Sequence, residues 1–163
     1  MARLLGLDLG DRRIGVAISD ESWLLARTLT TIVRTSRRQA WEDIGRLAAA
    51  HDAQRLIVGL PRTLRGEEGL QARRVRRSAE ALSAAIGLPV DFQDERYTSR
   101  EAQERLAATR RRPAKADIDA AAAAIILQDY LDRHASPGAE PRPAPPSAAQ
   151  TGIHRAGHAE EER

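Results

Sequence analysis

Hydrophobic and polar positions divide the first 135 residues into short apolar runs and longer amphipathic ones. "RLLGLDL" (3–9) is apolar on both faces of an extended chain, which predicts a strand in the middle of a sheet. "GDRR" is a tight turn, and "IGVAIS" (14–19) is a second strand, so the two form a hairpin. "LARTLTTIVRT" (25–35) reads as a third strand, half polar and therefore partly exposed. The period then changes. In "SRRQAWEDIGRLAAAHD" (36–52), Trp41, Ile44, Leu47 and Ala48 recur at helical spacing, and Ser36 with Gln39 has the spacing of a capping box.

"RLIVGL" (55–60) predicts a fourth strand and "PRTLRGEEG" (61–69) a polar loop. A helix over 70–86 is stopped by Gly87 and Pro89. "VDFQDE" (90–95) is the last strand, Thr98 and Glu101 cap a helix running to 109, and "ADIDAAAAAIILQDYLDRH" (116–134) is the final helix. The order β-β-β-α-β-α-β-α-α predicts an α/β fold: a mixed five-stranded sheet flanked by helices. Beyond it, residues 136–163 hold five of the eight prolines and little to bury, which predicts a disordered Pro/Ala-rich tail after a domain at 1–135.

Composition narrows the setting. With no cysteine there is neither a disulfide framework nor a thiolate metal site. The apolar run at 120–127 is too short to span a bilayer, and no secretory signal pattern opens the chain, so a cytoplasmic location without membrane contact is expected. Charged residues are 26 basic and 23 acidic, and every basic residue but Lys115 is arginine. The tail carries −1, which leaves +4 on residues 1–135. There the arginines gather in "QARRVRRSAE" and "ATRRRPAK", a distribution suited to a polyanion but also to a solvated helix face. Trp23, Trp41, Phe92 and Tyr97 are too scattered for a platform that stacks single-stranded bases.

One acid interrupts the apolar pattern. Asp8 lies inside the first strand between leucines, and a buried carboxylate requires compensation. Glu95 ends the last strand, and parallel strands would bring it to the edge that Asp8 occupies. In the first turn of the final helix, Asp119 shares a stripe with Ala122, Ala123 and Ile126, whereas Asp117 is placed as a cap. Three convergent carboxylates suit a hard divalent cation, and two such ions about 3.5–4 Å apart are one solution for phosphodiester hydrolysis.

"GLDLGDRRIGVAISD", "IVGLPRTLRGEEG", "DERYTSREA" and "KADIDAAAAAIILQDYL" together resemble the YqgF/RuvX family, within the RuvC-like branch of the RNase H-like superfamily. The resemblance covers roughly residues 3–134. It implies an RNase H-like sheet and a metal-dependent endonuclease, with Asp8, Glu95 and Asp119 as catalytic, metal-holding acids and Mg2+ or Mn2+ as cofactor. Lys115 fits the Lys-x-x-x-Asp-x-x-Ala-Ala pattern and selects Asp119 over Asp117. Arg13, Arg62, Arg65, Arg96 and Lys115 become candidate contacts to nucleic acid, and Gly59 a gap between Asp8 and Glu95. The family is described both as Holliday-junction resolvases and as nucleases that process the 5′ end of pre-16S ribosomal RNA. Branched DNA is the first expected substrate and precursor rRNA the alternative. A homodimer accords with symmetric junction cutting. A non-catalytic RNA- or ribosome-binding module is the rival from another class. An actin-like ATPase or sugar kinase is disfavoured, because that fold needs two such domains.

Overall fold

A computed structural model describes residues 2–63, 65–95 and 115–134. Five strands are present: β1 (Arg3–Leu9), β2 (Arg13–Ser19), β3 (Ala26–Val33), β4 (Ala53–Pro61) and β5 (Val90–Glu95). Among these residues three helices accompany them: α1 (Arg37–Ala50), α2 (Leu70–Ile86) and α3 (Lys115–His134). The predicted helix ending at 109 and the tail at 136–163 lie outside the described residues, as does Arg96.

The sheet order is β3-β2-β1-β4-β5. β1 to β3 form an antiparallel meander, while β4 and β5 run parallel to β1. The mixed five-stranded sheet is therefore the one expected. β1 is central, and its side chains alternate between two cores. Leu5 and Leu7 enter the core covered by α1 and α2, together with Trp41, Ile44, Val58, Val75 and Leu82. Leu4 enters the second core, under α3, with Ile57, Ile126, Leu127, Tyr130 and Leu131. Period two thus puts Leu4, Gly6 and Asp8 on the α3 side of the sheet.

The helix ends follow local chemistry. Gln39 donates its backbone N–H to Ser36 Oγ at 3.1 Å, which caps α1. The reciprocal half of the capping box is missing, because the Gln39 amide donates to Asp43 Oδ1 instead. α2 starts at Gly69 without a side-chain cap and ends on Gly87, whose φ of 73° is the left-handed conformation that glycine adopts freely. β3 is shorter than the pattern implied, stopping at Val33. It is an edge strand, and the backbone turns from it towards the Ser36 cap.

Candidate active site

The site lies where β1 ends. Asp8 pairs across the hairpin with Gly15 of β2. One step beyond the last β1–β4 pair, Leu7 with Val58, stand Asp8 and Gly59, and Gly59 is in register with Gln93 of β5. One row of the sheet therefore reads Gly15, Asp8, Gly59, Gln93, with glycine on both sides of the acid. Glu95 ends β5 opposite Pro61, two residues past Gln93 and at the carboxyl edge of the same parallel strands.

Gly15 brings α3 to Asp8. A Cβ on Gly15 would stand 1.9 Å from the carbonyl oxygen of Asp119 and 3.0 Å from the backbone nitrogen of Ala120. Gly6 repeats the device two residues earlier on β1, where a Cβ would meet Leu127 Cβ at 2.7 Å and the Ala123 carbonyl oxygen at 3.0 Å. Two bare positions on neighbouring strands thus let the α3 backbone sit directly on the sheet. The predicted stripe is buried, with Ala122, Ala123 and Ile126 at most 2% exposed. Asp119, one turn before that stripe, is thereby delivered next to Asp8.

The two acids act on each other. Asp8 is pushed up from 3.8 to about 6, first by burial and then by the negative charge of Asp119. No described group donates a hydrogen bond to the Asp8 carboxylate. Asp119 Oδ2 is buried and has no hydrogen-bond partner among the described residues, although Arg13 Nε lies 3.1 Å away. Arg13 is within ion-pair distance but is not aligned to donate, so it supplies charge without satisfying the oxygen. Nearby, the Gln93 side chain is 3% exposed, and its Nε2 also lacks a partner among the described residues. Two buried polar atoms with unfilled valence at one sheet edge call for an explanation.

The other candidate contacts are distributed differently. Arg62 is already engaged: its Nε and Nη2 reach Asp94 Oδ1 at 2.8 and 2.7 Å, and its Nη1 lies 3.7 Å from Glu68. It fastens the 62–69 loop to β5 rather than standing free for a phosphate. Arg65 is exposed on that loop. Lys115 is the first residue of α3, and Asp117 is in its first turn. Sequence reading missed Arg34, which donates Nη1 to the Gly10 carbonyl at 2.9 Å with its guanidinium over Trp41, and so clamps the hairpin turn that carries Arg13. It also missed Gln93; the sole signal was a polar residue at an inward position of a strand. No group of three or more metal-binding side chains assembles among the described residues. Asp8 and Asp119 are brought together, and Glu95 contributes its backbone position.

The donor set suits a divalent cation. Both described acids offer hard oxygen, one is held unfavourably as an anion, and the other keeps a buried oxygen open.

Comparison with known proteins gives the family and the fold. Residues 2–133 match the family described as "RuvX: Holliday junction resolvase". A protein of Chloroflexus aggregans named "Putative pre-16S rRNA nuclease" is 48% identical over 136 residues, covering 82% of this chain and 96% of its own. A namesake from Acaryochloris marina is 47% identical over 131 residues, covering 79% of this chain and 91% of its own. Among solved structures, Thermus thermophilus RuvC in complex with a Holliday junction substrate superposes with a TM-score of 0.55 at 15% identity, over 83% of this chain and 98% of that one. The fowlpox virus resolvase does so with a TM-score of 0.51 at 10% identity, over 82% of this chain and 99% of that one. These two likenesses establish the RuvC-like, RNase H-like fold.

Proposed function

Because the chain belongs to the RuvX family, we propose that it is a metal-dependent endonuclease that hydrolyses phosphodiester bonds in structured nucleic acid, with Asp8, Glu95 and Asp119 holding Mg2+ or Mn2+. The observation that carries this reading is the seating of α3 at Gly15, which places a second acid beside an already buried one. Such a pair opposes folding unless it serves a cation. When bound, the divalent ions supply Lewis-acid stabilisation and a water of lowered pKa.

The chain's own groups do the rest. Asp8 and Asp119 offer carboxylate oxygens, and Glu95, at the end of β5 with β4 between it and β1, completes the set. Arg13 balances the charge of Asp119 and faces the incoming phosphate. Gln93 Nε2, without a partner among the described residues, is a donor for a non-bridging phosphate oxygen. Arg65, Arg96 and Lys115 are further phosphate contacts, and Arg62 holds the loop that presents Arg65. The 62–69 segment follows β4 directly, so Arg62 and Arg65 belong to the connection that leaves the carboxyl edge of the sheet.

Between substrates, branched DNA stands first and the pre-16S rRNA 5′ end second. The few scattered aromatics suit a duplex or branch better than a threaded single strand. Nucleic acid is the partner, a homodimer accords with symmetric cutting, and the cytoplasm is the compartment where both substrates occur. No described helix is long and apolar enough to cross a membrane.

The test is one preparation in manganese, given a mobile four-way junction, its component duplex and a pre-16S rRNA fragment at equal salt. Paired nicks near the branch point, abolished by chelator, are expected. Cleavage confined to the RNA would reverse the order of substrates. Absence of cleavage on all three would favour the binding-module reading.

A further inference from the structure

α2 violates the charge rules of its own helix. The positive end of a helix dipole disfavours cations, and like charges three or four residues apart repel. Yet "RRVRR" occupies the fourth to eighth positions of the helix, and no acid stands in the first turn. Glu80 is the only acid on the helix. Arg76 has local employment, pairing with Glu68 and covering the Phe92 ring at 4.5 Å. Arg73, Arg74 and Arg77 have none. All three are exposed and have no ion-pair partner among the described residues. They lie within about 100° of arc, directly opposite the stripe of Ala72, Val75, Ala79 and Leu82 that α2 buries. On that outward face the positive charge ends with the second turn, since the exposed acid Glu80 and then Ala81 and Ala84 follow.

The charged half of α2 is also the half at the site. α2 begins after β4 leaves the carboxyl edge of the sheet, so its first turns stay at that edge. They are tied there by a chain of contacts: Arg76 to Glu68, Glu68 to Arg62, and Arg62 to Asp94, the residue before Glu95. α2 and α3 cover opposite faces of the sheet, so the acids and the arginine ridge flank the edge from two sides.

Resting on the nuclease reading, we infer that Arg73, Arg74 and Arg77 form a backbone track for a double-helical arm of the substrate, which crosses the carboxyl edge of β4 and β5 and extends away from the cleavage point. The ligand is a row of phosphates, which the exposed cations would bind without sequence preference. Bound phosphates also relieve the mutual repulsion along the helix, which accounts for a sequence that is locally unfavourable.

The test is binding of the full chain to a fluorescent blunt DNA duplex in chelator, followed by anisotropy across a salt series. No cleavage occurs there, so the result is independent of catalysis. Removing three phosphate contacts in R73Q/R74Q/R77Q should make the log–log salt slope shallower by about 2–3, at roughly 0.9 per contact. The charge-matched R27Q/R38Q/R46Q, altered on β3 and α1, should keep the wild-type slope. R73K/R74K/R77K should also keep it, because a phosphate requires only the charge. The melting temperature of R73Q/R74Q/R77Q should equal or exceed that of wild type, because a repulsive row has been removed. The inference is overturned if R73Q/R74Q/R77Q keeps the wild-type slope, if the α1 and β3 changes lower it equally, or if wild type does not bind duplex. Failure of the nuclease reading would look different: the salt-dependent track would remain, and no substrate would be cut.

Discussion

Asp8→Asn is expected to make the metal-free protein markedly more stable while abolishing cleavage. In the folded chain the Asp8 carboxyl is pushed from 3.8 to about 6, so the native state binds its proton more tightly than the unfolded state does. Wild-type stability from this group is therefore fully present below about pH 4 and is lost as pH rises through 6. Above that, holding the anion beside Asp119 costs about 3 kcal/mol, taking ~1.4 kcal/mol per tenfold change. Asparagine removes the burden. In chelator near neutral pH or above, the melting temperature of the variant should rise by roughly 5–10 °C for a domain of this size. The gain should vanish below about pH 4. Added manganese should raise the wild-type melting temperature and leave that of the variant nearly unmoved. A variant less stable than wild type at neutral pH would mean that Asp8 is a structural acid with a partner of its own.

The second large effect is expected at Gly15. The methyl group of Gly15→Ala would stand 1.9 Å from a backbone carbonyl that no rotamer change can move aside, so α3 must shift as a body. Denaturant unfolding should show a loss of about 3 kcal/mol, the upper end of overpacking costs. Cleavage should fall as well, because Asp119 travels with the helix. Gly45→Ala is the contrasting case. Its Cβ would stand 3.3 Å from Ile86 Cγ2, a side-chain methyl on the last residue of α2 that need give only slightly, and alanine favours the interior of α1. That variant should stay within about 1 kcal/mol of wild type and retain full activity. Equal losses in both variants would show that Gly15 has no special part in seating α3.

The division between what could and could not be read in advance follows from range. Asp8 was visible because a charge inside an apolar strand contradicts its surroundings. Asp119 was visible because its place in the α3 stripe follows from helical spacing. Both signals are local. Gly15 gave no such signal: what demands a glycine there is a carbonyl more than a hundred residues away. Arg13 and Arg62 looked alike in sequence, as basic residues beside polar connections between elements. Only the fold gives one to Asp119 and the other to Asp94 and Glu68. Gln93 was hidden for a related reason, since its burial depends on the neighbours of β5 rather than on β5. The five strands, by contrast, were legible in order and nearly in length, because each carries its own period and is bounded by turn residues.

The central claim is that a carboxylate delivered by α3 works with Asp8 to cut phosphodiester bonds. The most direct measurement is the single-turnover cleavage rate in manganese of wild type, Asp119→Asn and Asp117→Asn on the substrate that wild type cuts fastest. Asp119→Asn should lose at least about a hundredfold, the scale of removing one charge-stabilising group, while Asp117→Asn should stay close to wild type. Full activity in Asp119→Asn would contradict the account, most plainly if Asp117→Asn were the inactive one.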